Sequence, residues 1–64
     1  MKKWCNYETM NPDIKDEVRK YLNQNDIYYE LSDCFDGWHF SIEIEEDDYG
    51  NLDWFLWRIK EYFG

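Results

Sequence analysis

The chain has 64 residues, of which 15 are acidic and 7 are Lys or Arg, so its formal net charge is −8 at pH 7. A chain of this length has room for one domain, expected as a single compact unit over residues 1–64, and little room for a cleft that encloses a substrate. Its negative charge repels nucleic acid and anionic membranes. Length and charge therefore argue against an enzyme and against direct binding of nucleic acid or membrane.

The start of the chain and its cysteines indicate where the protein works. No apolar run follows Lys2 and Lys3, so we expect no signal peptide, and no segment approaches the roughly 20 apolar residues that cross a bilayer. We therefore expect a cytoplasmic protein whose Cys5 and Cys34 are reduced thiols. These two cysteines and His39 fit no zinc or redox spacing, so we expect no metal and no other cofactor.

The first predicted helix begins at Asn11-Pro12-Asp13. Asn is a favourable N-cap, Pro suits the first helical position, and Asp complements the helix dipole. We expect the helix to end in residues 23–25, with Asn25 in the left-handed conformation that closes many helices. Its apolar stripe consists of Ile14, Val18, Tyr21 and Leu22.

A β-hairpin is predicted next, because apolar and polar residues alternate in two neighbouring segments. Asp36-Gly37 is a strong signal for a two-residue turn. With that turn Phe35 lies opposite Trp38 on the core side, and Asp33 comes to lie beside Phe40, a conflict that predicts a bulge or fraying. The alternating apolar residues are Ile27, Tyr29 and Leu31 in the first strand, and Trp38, Phe40, Ile42 and Ile44 in the second.

Residues 46–50 are expected to form a loop before the last helix. Asp48 or Asn51 caps that helix, which runs to about Phe63. Trp54 and Trp57 fall outside its apolar stripe, so we expect both rings to be at least partly exposed. The stripe consists of Leu52, Phe55, Leu56, Ile59 and Phe63.

The N-terminal residues 3–9 leave an alternative open. They could form a third strand, because a hairpin alone is marginal under two helices. The expected fold is a small two-layer α+β domain of order (β)αββα. In it, an antiparallel hairpin or three-stranded sheet is covered on one face by both helices.

Two arrangements in the sequence resemble reactive or metal sites. Cys34 lies opposite His39 on the outer face, but nothing supplies an oxyanion hole, so an ordinary polar pair is the better interpretation. The acidic run at 43–48 lacks the ligand spacing of a calcium loop. Neither arrangement predicts catalysis or a dedicated metal site.

The acidic residues are the first candidate binding surface. The predicted register places Glu30 opposite Glu43, which destabilises a sheet and suggests that the charge serves a purpose. Glu43, Glu45 and Asp47 would form a row with a spacing of about 6.6 Å, comparable to that of phosphates. The alternative is that the charges protect a sheet edge from aggregation. The full candidate set is Glu30, Glu43, Glu45, Glu46, Asp47, Asp48 and Asp53.

Exposed aromatic residues are the second candidate. Trp is enriched at binding hot spots, so Trp54 and Trp57, with Tyr28, could carry a protein interface. The alternative is that these rings cover a sheet edge or the N-terminal segment.

The acidic surface predicts a non-enzymatic inhibitor or modulator that occupies the basic, nucleic-acid-binding surface of another protein by imitating phosphates. In size and charge, and in no specific residues, the chain looks like the very short acidic proteins with which phages and other mobile elements disable host machinery, some anti-CRISPR and anti-restriction proteins among them. That likeness implies a bacterial host cytoplasm. The alternative function is a protein–protein adaptor or antitoxin-like partner that binds through the exposed tryptophans.

Overall fold

A computed structural model describes residues 1–63 and shows an α+β domain of order βαββα, which confirms the predicted class. The strands form one antiparallel sheet in the spatial order β1-β3-β2. Residues 3–9 therefore belong to a third strand, and β3 is central rather than at an edge. The elements are β1 Lys2–Thr9, α1 Pro12–Gln24, β2 Tyr28–Cys34, β3 Gly37–Glu45 and α2 Glu46–Phe63.

Helix α1 begins as predicted and ends at Gln24, within the predicted residues 23–25, but Asn25 is not left-handed. The Asn11 side chain accepts a hydrogen bond of 2.8 Å from the backbone N–H of Asp13, which satisfies a free amide of the first turn. The left-handed residue is Asp26, with φ 54°, whereas Asn25 has φ −104°. Both the backbone and the side-chain amide of Asn25 donate to the Tyr21 carbonyl, so Asn25 caps the C-terminal end of the helix.

The core lies between one face of the sheet and both helices. Each fully buried aliphatic or Phe side chain in it contributes roughly 1.5–3 kcal/mol. Tyr21 of α1 stacks on Phe55 of α2, with ring centroids 4.1 Å apart, and joins the helices at the edge of the core. The buried residues are Ile14, Val18 and Leu22 of α1, Phe40, Ile42 and Ile44 of β3, and Leu52, Leu56 and Ile59 of α2.

The hairpin register differs from the predicted one by two residues. Cys34 pairs with Gly37, so the turn residues are Phe35 and Asp36 rather than Asp36 and Gly37. Neither turn residue has a positive φ, which excludes the primed turns for which Asp-Gly is a signal. Phe35 is therefore fully exposed at the tip and does not face the core. Asp33 lies opposite Trp38, so the expected conflict with Phe40 does not arise.

Residues 46–50 are helical, which corrects the predicted loop. Helix α2 begins directly after β3, with the carboxylates of Glu46, Asp47 and Asp48 in its first turn. Negative charge there is favourable because the N-terminus of a helix carries partial positive charge. The backbone N–H of Glu46 also donates to the Met1 carbonyl at 3.0 Å. Within residues 1–63, no helix combines the length and apolar character needed to span a membrane.

Candidate protein-binding surface

One face of the sheet is left uncovered by the helices, and we call it the open face. Alternate residues of each strand point to it, because successive side chains of a strand lie on opposite sides. None of these side chains is buried, in contrast to Phe40, Ile42 and Ile44 on the other face of β3. They are Lys2, Trp4, Asn6 and Glu8 of β1, His39, Ser41, Glu43 and Glu45 of β3, and Tyr28, Glu30, Ser32 and Cys34 of β2.

Two aromatic rings stand on either side of a carboxylate on the open face. Trp4 and Tyr28 both lie opposite Glu43 of the central strand, one on each neighbouring strand. Their ring centroids are 6.3 Å apart and their planes meet at 78°. Trp4 is 53% exposed and Tyr28 is 56% exposed. We call Trp4 and Tyr28 the aromatic pair.

The predicted row of carboxylates is only partly present. Lys2 Nζ lies 3.4 Å from Glu43 Oε1, and the Met1 ammonium lies 3.3 Å from Glu45 Oε2. Asp47, the third member of the row, belongs to the first turn of α2 and not to β3. Strand β3 therefore contributes only two of the three carboxylates, and each of these two lies beside a cation.

The predicted opposition of Glu30 and Glu43 is also wrong. Glu30 lies opposite Ser41, and Tyr28 takes the place opposite Glu43. The Tyr28 hydroxyl donates to Glu30 Oε1 at 3.3 Å. The negative charge of Glu30, this hydrogen bond and the charge of Glu43 all raise the pKa of Tyr28, because they disfavour the phenolate. The aromatic pair therefore stands in a negative field.

His39 is held by partners other than Cys34, the residue expected opposite it. Its Nδ1 lies 3.2 Å from Glu8 Oε1, and its Nε2 lies 3.2 Å from Asn6 Oδ1. Cys34 lies opposite Gly37 near the turn, and both it and Cys5 are free thiols. In the described part of the chain, no three His, Cys, Asp or Glu side chains are grouped as a metal site.

The candidate acidic residues fall into separate places. Glu30, Glu43 and Glu45 lie on the open face, and Glu46 follows at once because α2 begins where β3 ends. Asp53 lies farther along α2, close enough to the Cys5 thiol for its charge to help raise the pKa of that thiol, which burial raises most. The acidic residues of the open face are thus followed directly by those at the N-terminus of α2, whereas Asp53 lies apart from both groups.

Helix α2 presents the second aromatic surface. Trp54 and Trp57 are 59% and 61% exposed, as their position off the apolar stripe predicts. The Arg58 guanidinium lies 4.9 Å from the Trp54 ring centroid. A groove of about 560 Å³ is lined by Trp54 and Arg58, with Glu17 and Tyr62 also in its wall, whereas Trp57 lies outside it.

Sequence reasoning did not identify Trp4 as a candidate. The alternation of Trp4, Asn6 and Glu8 with Cys5 and Tyr7 carries the period of a strand and could have placed Trp4 on the outer face. In the sequence comparisons no family model or curated protein matches the chain, and in the structural comparison no solved structure matches it.

Proposed function

We propose that the protein is a non-enzymatic inhibitor or modulator that binds a basic surface of a partner protein through its open face. The observation that carries the proposal is the exposed aromatic pair in negative surroundings on an uncovered sheet. Four glutamates lie on this face against Lys2 and the Met1 ammonium, so the face keeps a net negative charge. The carboxylates of Glu46, Asp47 and Asp48 extend the charge beyond β3.

The aromatic pair supports binding rather than solubility alone. Charged residues suffice to keep a small protein soluble, whereas exposed Trp and Tyr rings add apolar area that favours association. Trp and Tyr are enriched among the residues that carry most of the energy of protein interfaces. Both rings stand on paired strands, so their backbone is already ordered and less entropy is lost on binding.

We further propose that the partner is a nucleic-acid-binding protein of a bacterial host. Such proteins hold the phosphate backbone with Lys and Arg, and a surface of carboxylates competes for the same side chains without reading any base. The net charge of −8 on 64 residues supports this class of partner. With such a partner, we propose an anti-defence role for the protein, encoded by a phage or another mobile element.

The test is capture of proteins from a bacterial lysate by the immobilised chain, followed by identification of what is bound. We expect nucleic-acid-binding proteins that dissociate as salt rises from about 50 to 200 mM. Duplex DNA added as a competitor should displace them. A partner held equally well by the Glu30→Gln, Glu45→Gln double variant, and not displaced by DNA, would contradict phosphate imitation.

A second candidate function is a protein–protein adaptor that binds through α2. Its support is the exposure of Trp54 and Trp57 together with the groove that Trp54 lines. In that case Trp57→Ala should abolish capture of the partner, and the double variant on the open face should retain it. The two functions therefore predict opposite results from the same pair of variants.

A further inference from the structure

Close cation–aromatic contacts recur within this chain. Three rings carry an ammonium or guanidinium group at 3.8 to 4.9 Å from the ring centroid: Tyr49 with Lys3, Trp38 with Lys15, and Trp54 with Arg58. Within residues 1–63, no Lys or Arg lies over either ring of the aromatic pair. Trp4 and Tyr28, the rings nearest to Glu43, therefore have no cation over them, unlike the three rings named above.

The geometry of the aromatic pair suits a cation. The two rings meet edge to face, and about half of each side chain stays exposed, so a cation can approach the part of a ring face that the other ring does not cover. Glu43 lies between the two rings in the sheet, and Glu30 accepts the hydrogen bond from Tyr28 beside them. A positively charged group placed there would gain an aromatic contact and a carboxylate partner together.

We propose that Trp4, Tyr28 and Glu43 bind an arginine side chain of the partner's basic surface. The inference rests on the proposed function and names the group that the open face recognises. Arginine fits better than lysine, because its planar guanidinium stacks on aromatic rings and pairs with a carboxylate through two hydrogen bonds. The guanidinium is also less strongly hydrated than an ammonium, so it loses less on leaving water.

Lys2 occupies part of this site in the free protein. Its Nζ lies 3.4 Å from Glu43 Oε1, while its side chain is 57% exposed and lies over neither ring. Exposed ion pairs of this kind are weak and easily exchanged. An incoming guanidinium would therefore displace the Lys2 ammonium from Glu43 and add the ring contacts that Lys2 does not make.

The experiment is an NMR titration of the whole chain with blocked oligo-arginine, oligo-lysine and oligo-citrulline peptides of equal length. We expect oligo-arginine to shift the Trp4 indole N–H and the backbone amides of Tyr28 and Glu43, with the Trp57 indole as an internal control. Oligo-lysine should bind more weakly, and neutral oligo-citrulline should not bind. Equal effects of arginine and lysine, or shifts centred on Trp57, would overturn the inference.

Variants separate a specific site from general attraction. Trp4→Leu should weaken oligo-arginine binding about two- to fivefold, the range for an exposed cation–aromatic contact. Glu43→Gln should weaken it more than Glu8→Gln, which removes the same charge from the same face. If the two Gln variants lose equal affinity for oligo-arginine and Trp4→Leu loses none, the arginine site is wrong, while the proposed acidic docking surface is still supported. No shift on the open face with any peptide would overturn both.

The Lys2→Ala variant tests the arginine site independently, in case Trp4→Leu does not fold. It removes the competing ammonium and leaves both rings in place, so oligo-arginine should bind more tightly to it than to the wild type. The gain should exceed that of Lys20→Ala, which removes an equal charge from α1. An equal gain in the two variants would contradict displacement of Lys2 from the site.

Discussion

The carbonyl oxygen of Thr9 occupies the space that a β-carbon on Gly37 would need. Gly37 begins β3 and pairs with Cys34, while Thr9 ends β1 and pairs with Trp38. The chain leaving β1 therefore passes close over the start of β3. Glycine is required at this position for the close approach of two backbones, and the turn is formed by Phe35 and Asp36.

Gly37→Ala should destabilise the domain by at least the roughly 1–3 kcal/mol typical of overpacking, because the atoms that the new methyl group meets belong to the backbone. Urea denaturation followed by circular dichroism measures the change. A loss of less than about 0.5 kcal/mol, the usual range of a surface substitution, would show that β1 and β3 do not meet in this way.

Gly50→Ala should stabilise the domain by about 0.5–1 kcal/mol, the difference between Ala and Gly inside a helix. A β-carbon at this position meets no atom within 4 Å, so nothing offsets the gain. The same denaturation experiment measures it. Destabilisation would indicate that residues 46–50 form the loop expected from the sequence instead of the first turns of α2.

The free energy of unfolding should fall as pH rises above about 9. Burial raises the pKa of the Cys5 thiol above its ordinary value of 9.0, and burial also raises the pKa of Tyr7 above 10.0. Both groups ionise more easily in the unfolded chain, so their contribution is complete below the unfolded pKa and is lost as pH rises through the folded one.

Cys5→Ser removes the earlier of these two ionisations. In this variant the free energy of unfolding should fall less over the first part of the alkaline range. The decrease at higher pH, which is due to tyrosine ionisation, should remain. Denaturant unfolding at a series of pH values gives the comparison. An identical pH profile for wild type and variant would show that the thiol is equally accessible to water in both states.

Trp57→Ala should cost much less than the roughly 3–5 kcal/mol expected for truncation of a buried Trp, because the ring is mostly in solvent. Ile59→Ala, two residues along α2, removes a buried side chain and should cost roughly 2–5 kcal/mol. Such a loss would unfold much of a domain with a marginal net stability. Similar costs for the two variants would mean that the assigned face of α2 is wrong.

The sequence predicted which side of the two hairpin strands faces the core but not their register. Moving the hairpin by two residues keeps the apolar residues within the strands on the same side, so Leu31 finds an apolar partner in Ile42 or in Phe40 alike. The observed register places Gly37 against the backbone of Thr9, which is far from it in the chain. The residues of the hairpin alone do not reveal that contact.

The acidic run before Gly50 was misinterpreted for a related reason. Glu46, Asp47 and Asp48 are favourable either in a solvated loop or in the first turn of a helix, and only the position of the preceding strand distinguishes the two. The candidate site shows the same limit. Glu30 and Glu43 were predictable as outward-facing residues, whereas the approach of Trp4 to Tyr28 across β3 depends on how three strands assemble.

The most direct test of the account compares the affinity of a captured partner for the wild type, Trp4→Ala and Trp57→Ala, with the fold of each variant verified by circular dichroism. If the open face binds the partner, Trp4→Ala should lose at least the ~2 kcal/mol typical of a hot spot, or about 30-fold in affinity, and Trp57→Ala should bind as the wild type does. The reverse, with binding lost only in Trp57→Ala, would contradict the account and assign the interface to α2.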